Sequence, residues 1–175
     1  AINGSANGTS LKINAATTTG GLNGINALNN GTGTLSITTT DTTTGTSSKG
    51  IYAIMSNTAS TGDLTINAAT TTGGTYGITA ENRGTGALSI TTTGITTGNG
   101  IINGNSGIYA INKADSTGGL TINAATTTGG VTGIKAFNSG TGALTIETTG
   151  ITTGDNSAGI NAYNDGLGAV SITKT

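Results

Sequence analysis

The sequence contains no cysteine, histidine, proline or tryptophan. Without Cys or His there is no thiolate or imidazole chemistry, which removes most zinc sites and the usual hydrolytic triads. Charge is scarce too. Six Lys/Arg and seven Asp/Glu make up 7% of the 175 residues, against about 25% in ordinary soluble domains. Six scattered cations leave no electrostatic footprint for nucleic acid or an anionic membrane surface. Aromatics are four Tyr and one Phe. No apolar run approaches the roughly 20 residues of a membrane span, so neither membrane insertion nor a signal peptide is expected in this segment. The start at Ala1 reads as a processed or excised chain.

What is present is threonine (41) and glycine (32), together 73 positions. Gly/Ser/Thr tracts can be flexible linkers, but here the apolar residues recur in register. Leu-x-Ile stands at Leu11-Ile13, Leu35-Ile37, Leu64-Ile66, Leu88-Ile90, Leu120-Ile122 and Leu144-Ile146, and Val170-Ile172 follows. The spacings are 24, 29, 24, 32, 24 and 26 residues. Between copies runs Gly-Ile-x-Ala, beginning at Gly24, Gly50, Gly77, Gly107, Gly133 and Gly159. A Gly stands ten residues after each of the first six Leu positions. Alternate units share Ile-Asn-Ala-Ala-Thr-Thr-Thr-Gly-Gly, which makes a two-unit super-repeat of 53 or 56 residues. Length variation confined to fixed phases marks loops on a regular core.

Apolar alternation of period 2 with dense Gly and β-branched residues predicts strands and excludes helices. The expected fold is all-β: a parallel β-solenoid of about seven coils of 24–32 residues, with residues 1–175 a single repetitive segment cut in mid-coil at both ends. Leu11, Ile13, Ile25 and Ala27 point inward, and a third short strand is expected over 17–19 and its equivalents. There Ile95 and Ile151 take the place of Thr18, Thr71 and Thr127. The corner glycines are expected to serve positive φ. An Asn column, Asn3, Asn29, Asn82, Asn112, Asn138 and Asn164, is interrupted by Met55. Stacked amides there can bond along the axis, or Asn is simply a good turn residue.

Gly84 to Gly94 (Gly-Thr-Gly-Ala-Leu-Ser-Ile-Thr-Thr-Thr-Gly), Gly140 to Ile146, and the two Gly-Ile-Tyr-Ala copies at Gly50 and Gly107 resemble repeats in the passenger regions of bacterial autotransporters and large surface adhesins. The resemblance spans nearly the whole chain and is one of repeat style. It implies a right-handed β-helix, export to the cell surface or extracellular space, and a stalk or adhesive role.

The seven carboxylates do not share one phase over successive coils, so no catalytic residue, metal site or cofactor is expected, and the chain reads as a non-enzyme. Tyr52 and Tyr109 share an outward column and are candidate surface contacts, as are Ile101 and Ile102 in the longest loop. The next column, Leu28, Ile54, Glu81, Ile111, Phe137 and Tyr163, reads as corner core, although strict alternation would make it an exposed stripe. Thr-x-Thr pairs at Thr17/Thr19, Thr70/Thr72 and Thr126/Thr128 suggest an ice-binding array interrupted in the intervening coils. The expected role is a non-enzymatic structural or adhesive rod. The alternatives are a filament subunit stacking end to end and an ice-binding solenoid. Expected partners are further copies, end to end or laterally, and host or matrix glycans or proteins.

Overall fold

A computed structural model describes residues 1–4, 8–101, 105–113 and 115–175. Every strand pairing in it is parallel, and the chain winds through about six turns of a β-solenoid with three faces. Sheet B holds the Leu-x-Ile strands, from Leu11–Ala15 to Val170–Lys174. Sheet C holds six three-residue strands reading Thr-Thr-Gly, from Thr18–Gly20 to Thr152–Gly154. Sheet A holds the Gly-Ile-x-Ala strands, including Ile25–Asn29, Ile51–Met55, Ile78–Asn82, Ser106–Asn112, Thr132–Asn138 and Ile160–Asn164. At a strand spacing of about 4.8 Å, seven rungs make a rod roughly 30 Å long.

Register sets the core. Leu88 pairs with Leu64 and Leu120, Ile90 with Ile66 and Ile122, and Ala80 with Ala53 and Ala110. These side chains stack into fully buried columns, and each buried Leu or Ile contributes about 1.5–3 kcal/mol. A one-residue slip would turn every column outward, so the alternation itself specifies the register.

The third strand lies one residue later than the sequence suggests, at Thr18–Gly20 rather than 17–19. Corners between sheets B and C alternate in length, which explains the super-repeat. Two residues separate Ala15 from Thr18, whereas three separate Thr39 from Thr43. Thr96 therefore pairs with Thr71 and Thr127. Ile95 and Ile151 do not replace core threonines; they sit one position earlier, 53% and 65% exposed. The paired glycines are Gly20, Gly45, Gly73, Gly98, Gly129 and Gly154.

Positive φ is not what fixes the glycines: none of those described has φ between +20° and +160°. Close approach fixes them. A Cβ on Gly24 would lie 2.8 Å from the Thr43 methyl of the next coil, and one on Gly77 would lie 2.7 Å from that of Thr96. The inward Thr column of sheet C thus occupies the space left by the Gly of Gly-Ile-x-Ala.

The Asn column is a buried amide ladder that also closes the A-to-B corners. Asn82 Nδ2 donates to Asn112 Oδ1 (3.1 Å), Asn112 Nδ2 to Asn138 Oδ1 (2.9 Å), and Asn138 Nδ2 to Asn164 Oδ1 (2.8 Å). Each amide also donates within its own loop, as Asn82 does to Gly86 O and Asn164 to Gly168 O, both at 2.7 Å. At the other end Asn3 donates to Asn29 Oδ1 at 2.7 Å. Met55 pairs with both Asn29 and Asn82 and interrupts the ladder, at a coil whose A-to-B loop is longer than theirs.

Candidate functional site

Where every inward column is committed to packing, chemistry is left to the outward positions. On sheet A the first outward column reads Asn26, Tyr52, Thr79, Tyr109, Lys135 and Asn161. The second reads Leu28, Ile54, Glu81, Ile111, Phe137 and Tyr163. This second column is not corner core. Its first five members are half-buried and Tyr163 is 53% exposed. The reason is that the strand continues to the Asn of the ladder, whose amide takes the inward corner position. The column is an outward apolar stripe.

All five aromatic residues of the chain lie on this face or at its leading edge. Tyr76, just before Gly77, stacks on Tyr109 with centroids 5.7 Å apart and planes inclined by 26°. Tyr109 meets Phe137 edge-on at 6.1 Å, and Phe137 meets Tyr163 at 6.1 Å. Rings from four successive coils thus form one continuous surface along the axis, a contact geometry in which aromatic pairs attract.

Cations flank the rings. Lys49 Nζ lies 5.0 Å from the Tyr52 centroid; Lys135 Nζ lies 5.7 Å from that of Tyr109 and 5.3 Å from that of Phe137. Glu81 accepts from Arg83 Nε at 2.8 Å, with Lys113 Nζ at 3.6 Å. Lys49, Tyr52, Tyr76, Thr79, Glu81, Tyr109 and Ile111 line a shallow groove of about 250 Å³. Partial burial pushes the Tyr76 and Tyr109 phenols above the usual tyrosine range, with Tyr76 and Glu81 adding to the effect at Tyr109.

Tyr52 and Tyr109 thus lie on one face, as their shared phase requires. Ile101 is 71% exposed in the loop leading to sheet A; Ile102 lies outside the described residues. Asn29, Asn82, Asn112, Asn138 and Asn164 are structural, with their amides turned into the corner. Lys49 and Tyr76 were missed from sequence because they sit in loops. Both stand immediately before the Gly of Gly-Ile-x-Ala, and that phase was the available signal.

Sheet C presents a second regular surface. Thr19, Thr44, Thr72, Thr97, Thr128 and Thr153 pair in register without a break and face outward. Backbone bonds continue through the preceding column: the carbonyls of Thr42, Thr70, Ile95, Thr126 and Ile151 accept from the N–H groups of Thr18, Thr43, Thr71, Thr96 and Thr127 on the preceding coil. The array is therefore Thr-x-Thr or Ile-x-Thr throughout, and the interruption expected from sequence disappears once the three-residue corners are counted. The Asp41 carboxyl at its edge accepts from Thr17 Oγ1 (2.7 Å) and Thr42 N (2.8 Å), and these bonds hold its pKa below the ordinary value.

Among the described residues, no group of three or more acidic side chains gathers as a metal site would require. No protein-family model, curated protein or solved structure matches the chain.

Proposed function

We propose that this chain is a stretch of a non-enzymatic extracellular rod, a segment of a bacterial cell-surface adhesin, stalk or fibre of the autotransporter passenger kind. The observation that carries the reading is the gathering of all five aromatic residues on one of three faces or at its leading edge. Side chains there are free of core packing demands, so their clustering points to contact. The rod holds that face rigid, and weak contacts repeated along it or among many copies add up to useful avidity. The test is bead adhesion under flow over matrix-coated and cell-coated surfaces. Beads bearing the chain should be retained, and a Tyr109→Ser/Phe137→Ser variant of unchanged circular dichroism should lose most of that retention. Equal retention of both forms overturns the proposal.

The unbroken outward Thr column supports a second reading, ice binding by a flat hydroxyl-and-methyl array. Thermal hysteresis that disappears in Thr97→Lys would support it; ice growth unaffected by the parent chain would end it.

A further inference from the structure

Resting on the adhesive reading, we infer that the ring face of sheet A binds a sparsely charged acidic polysaccharide, one carrying uronate carboxylates, laid along the rod axis.

Three features select this occupant. The first is shape. The contacts Tyr76–Tyr109, Tyr109–Phe137 and Phe137–Tyr163, at 5.7, 6.1 and 6.1 Å, make a strip one ring wide that climbs four coils. A strip of that form suits a linear polymer, whereas a compact ligand needs enclosure on several sides, and the groove here is shallow. Aromatic rings offer apolar surface with polar tips, which complements a pyranose: its C–H groups lie along the strip while its hydroxyls meet the phenols.

The second is charge. Lys49 and Lys135 lie over the rings, and among the described residues neither takes part in an ion pair. Glu81, the carboxylate beside the rings, is already held by Arg83 and Lys113. The two lysines are therefore the positions at which a ligand carboxylate gains a cation without displacing a protein partner.

The third is charge density. The chain as a whole carries −1; Asp115 lies on the same corner loop as Lys113, and Asp165 on the corresponding loop two coils on. Widely spaced carboxylates tolerate that field, but a polymer with a charge on every unit, such as single-stranded nucleic acid, is disfavoured by it. Nucleic-acid platforms also need ring faces free to receive bases. Here Tyr76 and Tyr109 stack on each other, and Lys135 lies over Tyr109 and Phe137.

The test uses the intact chain with hyaluronate and unsulfated chondroitin oligosaccharides, which carry a carboxylate on every second sugar, cellohexaose as the neutral comparison, and oligo-dT as the polyanion. Isothermal titration should show binding of a uronate oligosaccharide, weakening with added salt, with cellohexaose bound less well. Phe137→Ala should reduce affinity about tenfold or more, as loss of a central aromatic anchor does. Lys135→Gln should reduce affinity and flatten the salt dependence, with circular dichroism unchanged in both variants. Preference for cellohexaose, tighter binding of oligo-dT, or unchanged affinity in Phe137→Ala overturns the inference. So does sedimentation showing side-by-side dimers that Phe137→Ala abolishes, since the face would then be covered by a second copy. If beads still need Tyr109 and Phe137 to adhere while both uronates fail to bind, the ligand class falls and the adhesive reading stands. If beads do not adhere in either form, the adhesive reading falls first.

Discussion

Replacing Asn112 by Ala tests whether the amide ladder holds the coils together. Asn112 is fully buried and uses all of its amide. It donates to Gly118 O at 3.0 Å and to Asn138 Oδ1 at 2.9 Å, and accepts from Asn82 Nδ2 at 3.1 Å. Three lost hydrogen bonds at about 1 kcal/mol each give about 3 kcal/mol. Gly118 O keeps the Ser116 hydroxyl and Asn82 Nδ2 keeps Gly86 O, so the orphan is Asn138 Oδ1. An orphaned buried acceptor adds about 1–3 kcal/mol, and the expected loss is about 4–6 kcal/mol. With a urea dependence of about 2 kcal/mol per molar, the unfolding midpoint falls by about 2–3 M. The control is Asn161→Ala, on an outward position, expected within about 0.5 kcal/mol of the parent. Far-UV circular dichroism and tyrosine fluorescence, followed together, report whether the coils unfold as one unit. Equal and small midpoint shifts for the two variants would refute the ladder as a source of stability.

Gly86→Ala places a Cβ against the Gly62 carbonyl of the preceding coil, whereas Gly21 has open space. The first should cost about 1–3 kcal/mol and the second almost nothing, measured as thermal shifts of about 2–4 °C per kcal/mol. Thr96 Oγ1 is buried without a hydrogen-bond partner among the described residues. Thr96→Val keeps the shape that fills the space beside Gly77, and is expected to raise stability by about 1 kcal/mol in urea titrations; a loss of that size would refute the assignment. The raised pKa values of Tyr76 and Tyr109 mean that the fold favours the neutral phenols. Their contribution to stability is complete below the unfolded value near 10 and is lost as pH rises through the folded values. Spectrophotometric titration should show late-ionising phenol, reduced in Tyr76→Phe; no change in that variant would contradict the burial.

The Leu-x-Ile and Gly-Ile-x-Ala strands were legible because their inward residues repeat every second position, and a parallel ladder stacks like on like. In the units beginning at Leu35, Leu88 and Leu144 the outward Thr phase of sheet C was placed one residue too early, because it was counted forward from Leu across corners one residue longer than in the alternate coils. Counting back from the glycine of Thr-Thr-Gly brings all six strands into line, and the outward Thr column with them. The Leu28 to Tyr163 column was misread because apolar residues near a corner resemble core. Burial of a polar Asn amide at that corner is what keeps the column outside, and hydropathy gives no sign of it. Nor does sequence distinguish a glycine needed for φ from one needed for room; only the position of the neighbouring coil does that.

The same distinction bears on function. Inward positions are nearly invariant from coil to coil because stacked coils leave one space for one shape, so a repeated residue there reports packing. Outward positions on sheets B and C also repeat, mostly as Thr, Ser and Asn, as β propensity and solubility alone would produce. Sheet A departs from this background. Its outward residues change from Tyr to Thr to Lys and from Ile to Glu to Phe along the axis, yet their rings still meet. Packing does not demand that pattern, and partly exposed apolar residues in a continuous stripe carry a risk of association. A face that differs from coil to coil while keeping its rings in contact is best explained by a partner lying across several coils at once. Contact mapping should therefore find protection spread over Tyr76, Tyr109, Phe137 and Tyr163 together; protection confined to one coil would argue for a local site.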